Sequence, residues 1–285
     1  MRISIGICTF RRPHVAETLR AVLDQAAPMG LELEVIVADN DDFDTARSIV
    51  ETAAATATVP LSYIHAPARN ISIARNAVLD AAGGDWIAFL DDDETVGPGW
   101  INRLASCARR TGADVVFGPV AAAYPPDAPA WVVAGDFHST HIEGDPGRRG
   151  EGHSGNVLFR WRGAPWSAVR FDLSLGRSGG EDTAFFDALR RFGARCSYEP
   201  DAIVREAAPA ERLNFDWLWR RRIRYGQTHA RLRLRDGAFA ATACIVAGLK
   251  AALCLSVATA CAPIPLARRR WLLRAALHLG AAGRF

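Results

Sequence analysis

Apolar and polar positions in the N-terminal half repeat one theme. Residues 3–10 form a short β-branched run, and 13–25 follow with apolar residues at helical spacing. Residues 33–38 (LEVIVA) read as a second buried strand and 44–56 as a second helix. A strand over 61–65, a helix over 71–82 and a strand over 85–90 (DWIAFL over 85–90) continue the series. Strands separated by helices of about ten to fifteen residues predict βαβ units in an α/β fold with a mostly parallel sheet. Ligands of such sheets bind beyond the carboxyl ends of the strands. That rule selects residues 9–12, 39–42 and 91–94.

Further on the pattern changes. Residues 113–122 predict one strand, and 124–131 are broken by Pro125, Pro126 and Pro129. Residues 135–155 are rich in Gly, His and charge without periodicity, and a loop of that length is usually functional or mobile. A helix over 180–192 opens with Glu181 and Asp182, acids that suit a helix N-terminus. A basic helix over 213–234 carries Trp217, Trp219 and Tyr225 among Arg220, Arg221, Arg222 and Arg224. It reads as an amphipathic surface helix, or as one that meets lipid phosphates or an acceptor diphosphate.

Residues 238–267 hold a single charge, Lys250, in an apolar stretch long enough to cross a bilayer at about 20 residues per span. Lys250 falls near the centre, where a charge is costly. Pro263 and Pro265 break the run, and Arg268, Arg269, Arg270 and Arg274 follow beside Trp271. A full span also conflicts with the positive-inside rule. The pattern suits a helical hairpin or monotopic segment with its arginines at anionic headgroups of the inner membrane. A soluble helical pair is the alternative.

Composition narrows the classes. The 285 residues are 49% hydrophobic and 23% charged, which excludes disorder, collagen and coiled coil for the whole. A net charge of +3 is too small for a nucleic-acid polymer as partner. Cysteines 8, 107, 196, 244, 254 and 261 contain no C-x-x-C pair and read as buried residues in a reducing compartment. The first strand begins almost at Met1, so no cleavable leader is expected and the catalytic part is placed in the cytoplasm.

The strongest chemical signal is F-L-D-D-D-E at 89–94. Consecutive aspartates at the end of a buried strand repel one another unless a cation or a hydrogen-bonding ligand occupies the site. Asp91 and Asp93 share a face if the pleat persists, and hard oxygen ligands suit Mg²⁺ or Mn²⁺ carrying a diphosphate. The alternative is a solvated acidic turn. G-G-E-D at 179–182 offers a carboxylate at a helix start, either as a general base or as a simple cap. The overlapping G-R-S-G-G has the form of a serine-hydrolase elbow, with His229 downstream, but no oxyanion loop precedes it. No G-x-G-x-x-G follows the first strand and no G-K-[ST] exists.

I-G-I-C-T-F-R-R, V-I-V-A-D-N-D-D, A-R-N, F-L-D-D-D-E and G-G-E-D, in this order, resemble the inverting family 2 glycosyltransferases, over about residues 1–235. E-x-x-P-x-E-R and W-L-x-R-R-x-x-R-Y-G (206–212, 217–226) are similar to the succinoglycan and exopolysaccharide branch. The resemblance implies the GT-A nucleotide-diphospho-sugar transferase fold over 1–212, with a nucleotide-binding half (1–110) and an acceptor half (111–212). The basic helix (213–236) and an apolar membrane-associating tail (237–285) then follow.

It also implies roles. Thr9, Phe10 and Arg12 would line the base pocket, Asp39 would accept from uracil or ribose, and Arg75 would approach the nucleotide. Asp93, with Asp91, would hold Mg²⁺ or Mn²⁺, and Asp91 or Asp92 would lie nearer the ribose. Asp182 would be the base and Glu181 its neighbour towards acceptor. Asn156 is an acceptor candidate. Glu206 is a second acceptor candidate and stands where many relatives carry a histidine. Apart from the resemblance, His138, His141 and His153 of the Gly-rich middle stretch are candidates for donor phosphates or acceptor, with a solvent-facing position the commoner reading of loop histidines.

The implied activity is metal-dependent transfer from a nucleotide-diphosphate sugar, a UDP-sugar in first place, to a glycan or polyprenyl-diphosphate-linked acceptor at the cytoplasmic face of the membrane. A polyprenyl-phosphate sugar synthase and a non-catalytic nucleotide-sugar-binding scaffold are the rivals.

Overall fold

The computed structural model describes all residues except 26–29, 143, 145, 147–151, 236–239 and 284–285. The elements are β1 (Arg2–Thr9), α1 (Val15–Leu23), β2 (Glu32–Asp39), α2 (Arg47–Ala54), β3 (Leu61–His65), α3 (Ile71–Ala81), β4 (Trp86–Asp91), β5 (Glu94–Val96) and α4 (Trp100–Thr111). They continue with β6 (Val115–Phe117), β7 (Val120–Ala123), α5 (Ala130–Gly135), β8 (Asn156–Arg160), α6 (Glu181–Arg191), β9 (Cys196–Tyr198), β10 (Val204–Ala207), α7 (Phe215–Arg235), α8 (Ala240–Ala260) and α9 (Pro265–Ala282).

Contacts divide the chain into two units, Met1–Ala121 with Ser139–Glu206, and Ala122–His138 with Ala207–Phe285. This division differs from a cut at residue 212, because the segment before the loop groups with the C-terminal helices.

The first unit is built on a seven-stranded sheet of order β3-β2-β1-β4-β8-β6-β9. β8 runs antiparallel to β4 and β6; the other pairings are parallel. The pleat of β1 explains why helices cover both faces. Ile3, Ile5 and Ile7 pack with Leu19 of α1, Val50 of α2 and Leu104 of α4, while Cys8 packs with Val78 of α3 and Phe185 of α6. Ile36, Ala88 and Phe159 are likewise almost fully buried, so these strands read as unbroken apolar runs.

The single strand expected over 113–122 is two strands. Gly118 and Pro119 interrupt it, and Pro119 has no N–H to give a ladder. The short α5, within the proline-broken stretch, and the strand β8 were not foreseen.

In the second unit α9 packs on both α7 and α8. Gly226 of α7 and Gly280 of α9 let two backbones approach closely. A Cβ on Gly226 would collide with the Leu277 carbonyl, and one on Gly280 with that of Ile223. Phe137, Leu218 and Leu273 form an apolar cluster there with Trp131 and Trp217.

Candidate active site

Three strand ends assemble one acidic rim. Thr9 of β1 lies in register with Asp39 of β2, and Cys8 with Asp91 of β4. The turn Asp92–Asp93 then leads into β5. Thr9 Oγ1 donates to Asp92 Oδ2 at 2.7 Å, and Thr18 Oγ1 of α1 donates to the Asp92 carbonyl at 3.0 Å. Arg12 donates to Asp92 Oδ1 at 3.1 Å and also to Asp93 Oδ2. Burial pushes the Asp92 carboxyl up to about 6; Arg12 and Thr9 oppose that, while Asp93 and Asp91 add to it. Asp91 is raised by burial against the pull of Arg75, with repulsion from Asp93 and Asp182.

Arg75, buried on α3, joins this rim to the start of α6. Its Nη1 donates to Glu181 Oε1 at 2.5 Å, and its Nη2 lies 3.6 Å from Asp91 Oδ1. Burial pulls the guanidinium down, yet Asp91, Glu181 and Asp182 more than offset this and hold it above its ordinary value. Glu181 is buried, its pKa raised by burial and by Asp182, and its Oε2 has no hydrogen-bond partner among the described residues. Asp182 is partly exposed, and its Oδ1 accepts from the Thr183 N–H at 2.7 Å. Gly179 and Gly180 ahead of it are both left-handed, at φ +87° and +93°. Of the two acids, Asp182 is the one free to meet a substrate.

Glu94 lies in the selected stretch 91–94, but the sequence assigned it no role of its own. It is buried, and its Oε2 accepts from the Asp91 N–H at 2.9 Å. Burial, then Asp91, drives its pKa well above the ordinary value, and it faces Glu206 in register across the antiparallel β5–β10 pair. The signal lay in the fourth acid of D-D-D-E. His153 sharpens within the loop. Its Nε2 is buried without a partner among the described residues, and burial, against Asp182, pushes the ring down to about 4.

Other expected residues sit differently. Asp39 is fully buried, and its oxygens accept from Asp41 N (3.1 Å), Ala46 N (2.9 Å) and the Tyr63 hydroxyl (2.9 Å). Three internal donors make it the organiser of its own turn. Phe10 is exposed, with the Arg11 guanidinium 5.1 Å from its ring centre. Arg12 is engaged by the aspartates.

Asn156 is fully buried: its Nδ2 donates to the carbonyls of Pro119 (2.9 Å) and Ala202 (2.6 Å), and its Oδ1 accepts from Trp100 Nε1 (2.8 Å). It braces strands, and offers an acceptor nothing. His138 belongs to the second unit, donating from Nε2 to the Arg212 carbonyl and stacking on Trp217. Ser178 is exposed, donates to the Leu175 carbonyl and follows turns rather than a strand, so it forms no nucleophile elbow.

A mostly parallel sheet whose strand ends carry an aspartate turn, with a glycine-led acid pair at a helix start, defines a class: glycosyltransferases with the GT-A fold. Residues 4–160 match glycosyl transferase family 2, and the chain belongs to that family. It is a glycosyltransferase. It is 45% identical to the succinoglycan biosynthesis protein ExoM of Rhizobium meliloti over 98% of this chain and 91% of that one.

Among solved structures it resembles the mannosyltransferase PcManGT from Pyrobaculum calidifontis, in complex with GDP-Man and Mn²⁺. The TM-score is 0.64 at 19% identity, over 97% of this chain and 86% of that one. S. aureus TarS 1-349 in complex with UDP-GlcNAc follows at a TM-score of 0.56 and 17% identity, over 84% and 73%. At these identities the likeness shows a shared fold.

Proposed function

We propose that this chain transfers a sugar, with inversion, from a nucleoside-diphosphate donor to a lipid-linked or polysaccharide acceptor in exopolysaccharide assembly, at the cytoplasmic face of the bacterial inner membrane. A UDP-sugar is the donor we favour. The near full-length similarity to a succinoglycan biosynthesis protein supports the pathway class. The observation that carries the chemistry is Arg75, which draws Asp91 and Glu181 to one buried cation although Arg75 and Glu181 are 106 residues apart. Donor-side and acceptor-side acids thus belong to one site.

Among the described residues no three His, Cys, Asp or Glu side chains are disposed to hold a metal ion. The fit is to a shared ion instead. Asp91 and Asp93 offer two hard carboxylates, and the remaining positions suit diphosphate oxygens and water. When bound, Mg²⁺ or Mn²⁺ would supply Lewis-acid neutralisation of the leaving diphosphate. The chain's own residues do the rest. Arg12 and Thr9 fix the aspartate turn, while Arg75 holds Glu181 and leaves Asp182 available. Asp182 takes the proton of the attacking acceptor hydroxyl, and one base without a protein nucleophile gives inversion. His153, kept neutral by burial, adds no competing positive charge beside that base.

Asp182→Asn tests this. Donor affinity, read by thermal shift with UDP-sugars and Mn²⁺, should persist while kcat falls by about 10²–10⁴, the usual share of general-base catalysis. Glu181→Gln should cost less and act partly on acceptor KM. Lost donor binding with an unchanged kcat in Asp182→Asn would reverse the assignment.

A further inference from the structure

α8 is packed inside out for a water-soluble helix. The residues it buries are small: Ala247, Ala251, Cys254 and Ala258, spaced along one face against α9. The large residues point away. Ile245, Leu249 and Leu253 are 63%, 67% and 62% exposed, at a spacing of four that keeps them on one face. The helix has a mean hydropathy of 1.9 over Ala241–Ala260. In water the hydrophobic effect sorts large apolar side chains inward. Small residues at the helix contact with large ones outward is the arrangement helices adopt against lipid.

Orientation follows from what α8 is attached to. α9 packs on α8 and on α7 alike. It carries Arg268, Arg269, Arg270 and Arg274, and among the described residues none of the four forms an ion pair. Arg268, Arg270 and Arg274 are exposed, while Arg269 stacks 4.6 Å from the Trp131 ring centre. If α8 crossed a bilayer, α9 would have to cross with it and carry these arginines into hydrocarbon, which is costly. Lys250 would also lie at mid-depth.

With α8 parallel to the surface, Lys250 sits about 100° around the helix from Leu249. That is on the flank, near His278 of α9, whose pKa burial and then the Lys250 charge push down. Residues 240–283 contain five Lys or Arg and no acid.

We propose that α8 lies in the plane of an anionic membrane surface, with Ile245, Leu249 and Leu253 sunk into the acyl boundary and the exposed arginines of α9 at the headgroups. The inference rests on the membrane-side placement in the proposed function, and it settles on a monotopic rather than a spanning tail. The complementary partner is a negatively charged lipid surface, because a stretch with cations and no acid has nothing to offer a cationic one.

The test uses the purified full-length protein and preformed vesicles of phosphatidylcholine with or without phosphatidylglycerol. The parent should float with the mixed vesicles and much less with pure phosphatidylcholine. Ile245→Gln/Leu249→Gln/Leu253→Gln, substitutions on an exposed face, should abolish flotation. Arg268→Gln and Arg270→Gln should each weaken binding to the anionic vesicles about fivefold.

Depth is read with Ile245→Trp, Leu249→Trp or Leu253→Trp and brominated lipids, as quenching added over the parent. An in-plane helix gives one depth for all three, whereas a spanning helix spreads them over about 12 Å. Unequal depths overturn the in-plane orientation. Failure to float overturns membrane docking, and so does a discrete oligomer in solution that the glutamine variant dissolves, which would assign the face to a second copy. Donor binding and hydrolysis are measured alongside. If those persist while flotation fails, only this inference falls; if they are absent in the parent, the catalytic reading falls.

Discussion

The two units of this chain depart from the usual sorting of side chains in opposite directions. The first places charge inside: Asp92, Glu94, Arg75 and Glu181 are all buried. The second places large apolar residues outside, with Ile245, Leu249, Leu253 and Ile264 well exposed. Burying a charge is expensive without a partner, and exposing an apolar stripe forfeits its transfer energy. Each departure points to something the chain works on. On the proposed function, the first unit arranges its carboxylates and Arg75 around an ionic ligand. On the tail proposal, the second meets a low-dielectric surface. The lesson is that a violation of burial is read by its sign: inward charge indicates chemistry, and outward apolar surface indicates a boundary.

Removing the inward charges is the hardest way to break the comparison. Asp91→Ala and Asp93→Ala should each abolish transfer without unfolding the chain, because relieved repulsion among the aspartates offsets the lost contacts to Arg75 and Arg12. Excess EDTA should do the same to the parent; normal turnover in EDTA, or in Asp93→Ala, contradicts a donor site built on these groups.

Arg75→Met comes next. Removing one member of a buried ion pair typically costs about 3–5 kcal/mol. Here Asp91 and Glu181 would also lose the cation between them. Adding Glu181→Gln should recover part of that loss, and chemical denaturation of the four members of the cycle reads it. A purely additive cycle would mean that the two residues are not coupled.

The smallest effect concerns His153. An unfolded histidine takes its proton near 6.5, whereas this one does so near 4. As pH falls from about 6.5 towards 4 the unfolded chain therefore binds more protons, and stability drains away. His153→Gln should flatten that part of the stability profile. An identical profile in the variant, measured by urea midpoints across the interval, would show that the ring is free to charge where it stands.

The tail needs a gentler probe than truncation. Cutting after residue 236 would strip α7 of α9, uncovering Leu218 and opening the contact at Gly226. Substituting the outward face of α8 tests the surface without undoing that packing.

Much of this was legible from local pattern. The βαβ order, the strand ends at Thr9, Asp39 and Asp91, and the acid pair at the start of α6 follow from periodicity and from where acids interrupt apolar runs. Other features were not. β8 is a short strand after a stretch whose sequence has no periodicity, and its place between β4 and β6 depends on pairing partners far along the chain. Asp39 and Asn156 carried the right residue types for ligand contacts, yet their hydrogen bonds are taken up by Tyr63, Ala46, Trp100 and Ala202. A polar residue type states what it can bond, and the surrounding packing decides with whom.

The sequence by itself determined the alternating α/β architecture, the acid-rich strand ends and the apolar character of the tail. Each is written in contiguous stretches whose period and composition act locally. Only the tertiary structure decided that Arg75 joins Asp91 to Glu181, that Glu94 stands behind the aspartate turn, and that α8 turns its small residues to α9 and its large ones away. Those outcomes depend on which distant groups share a desolvated space, where a few ångströms separate a satisfied charge from a reactive one, and that is set by packing rather than by position along the chain.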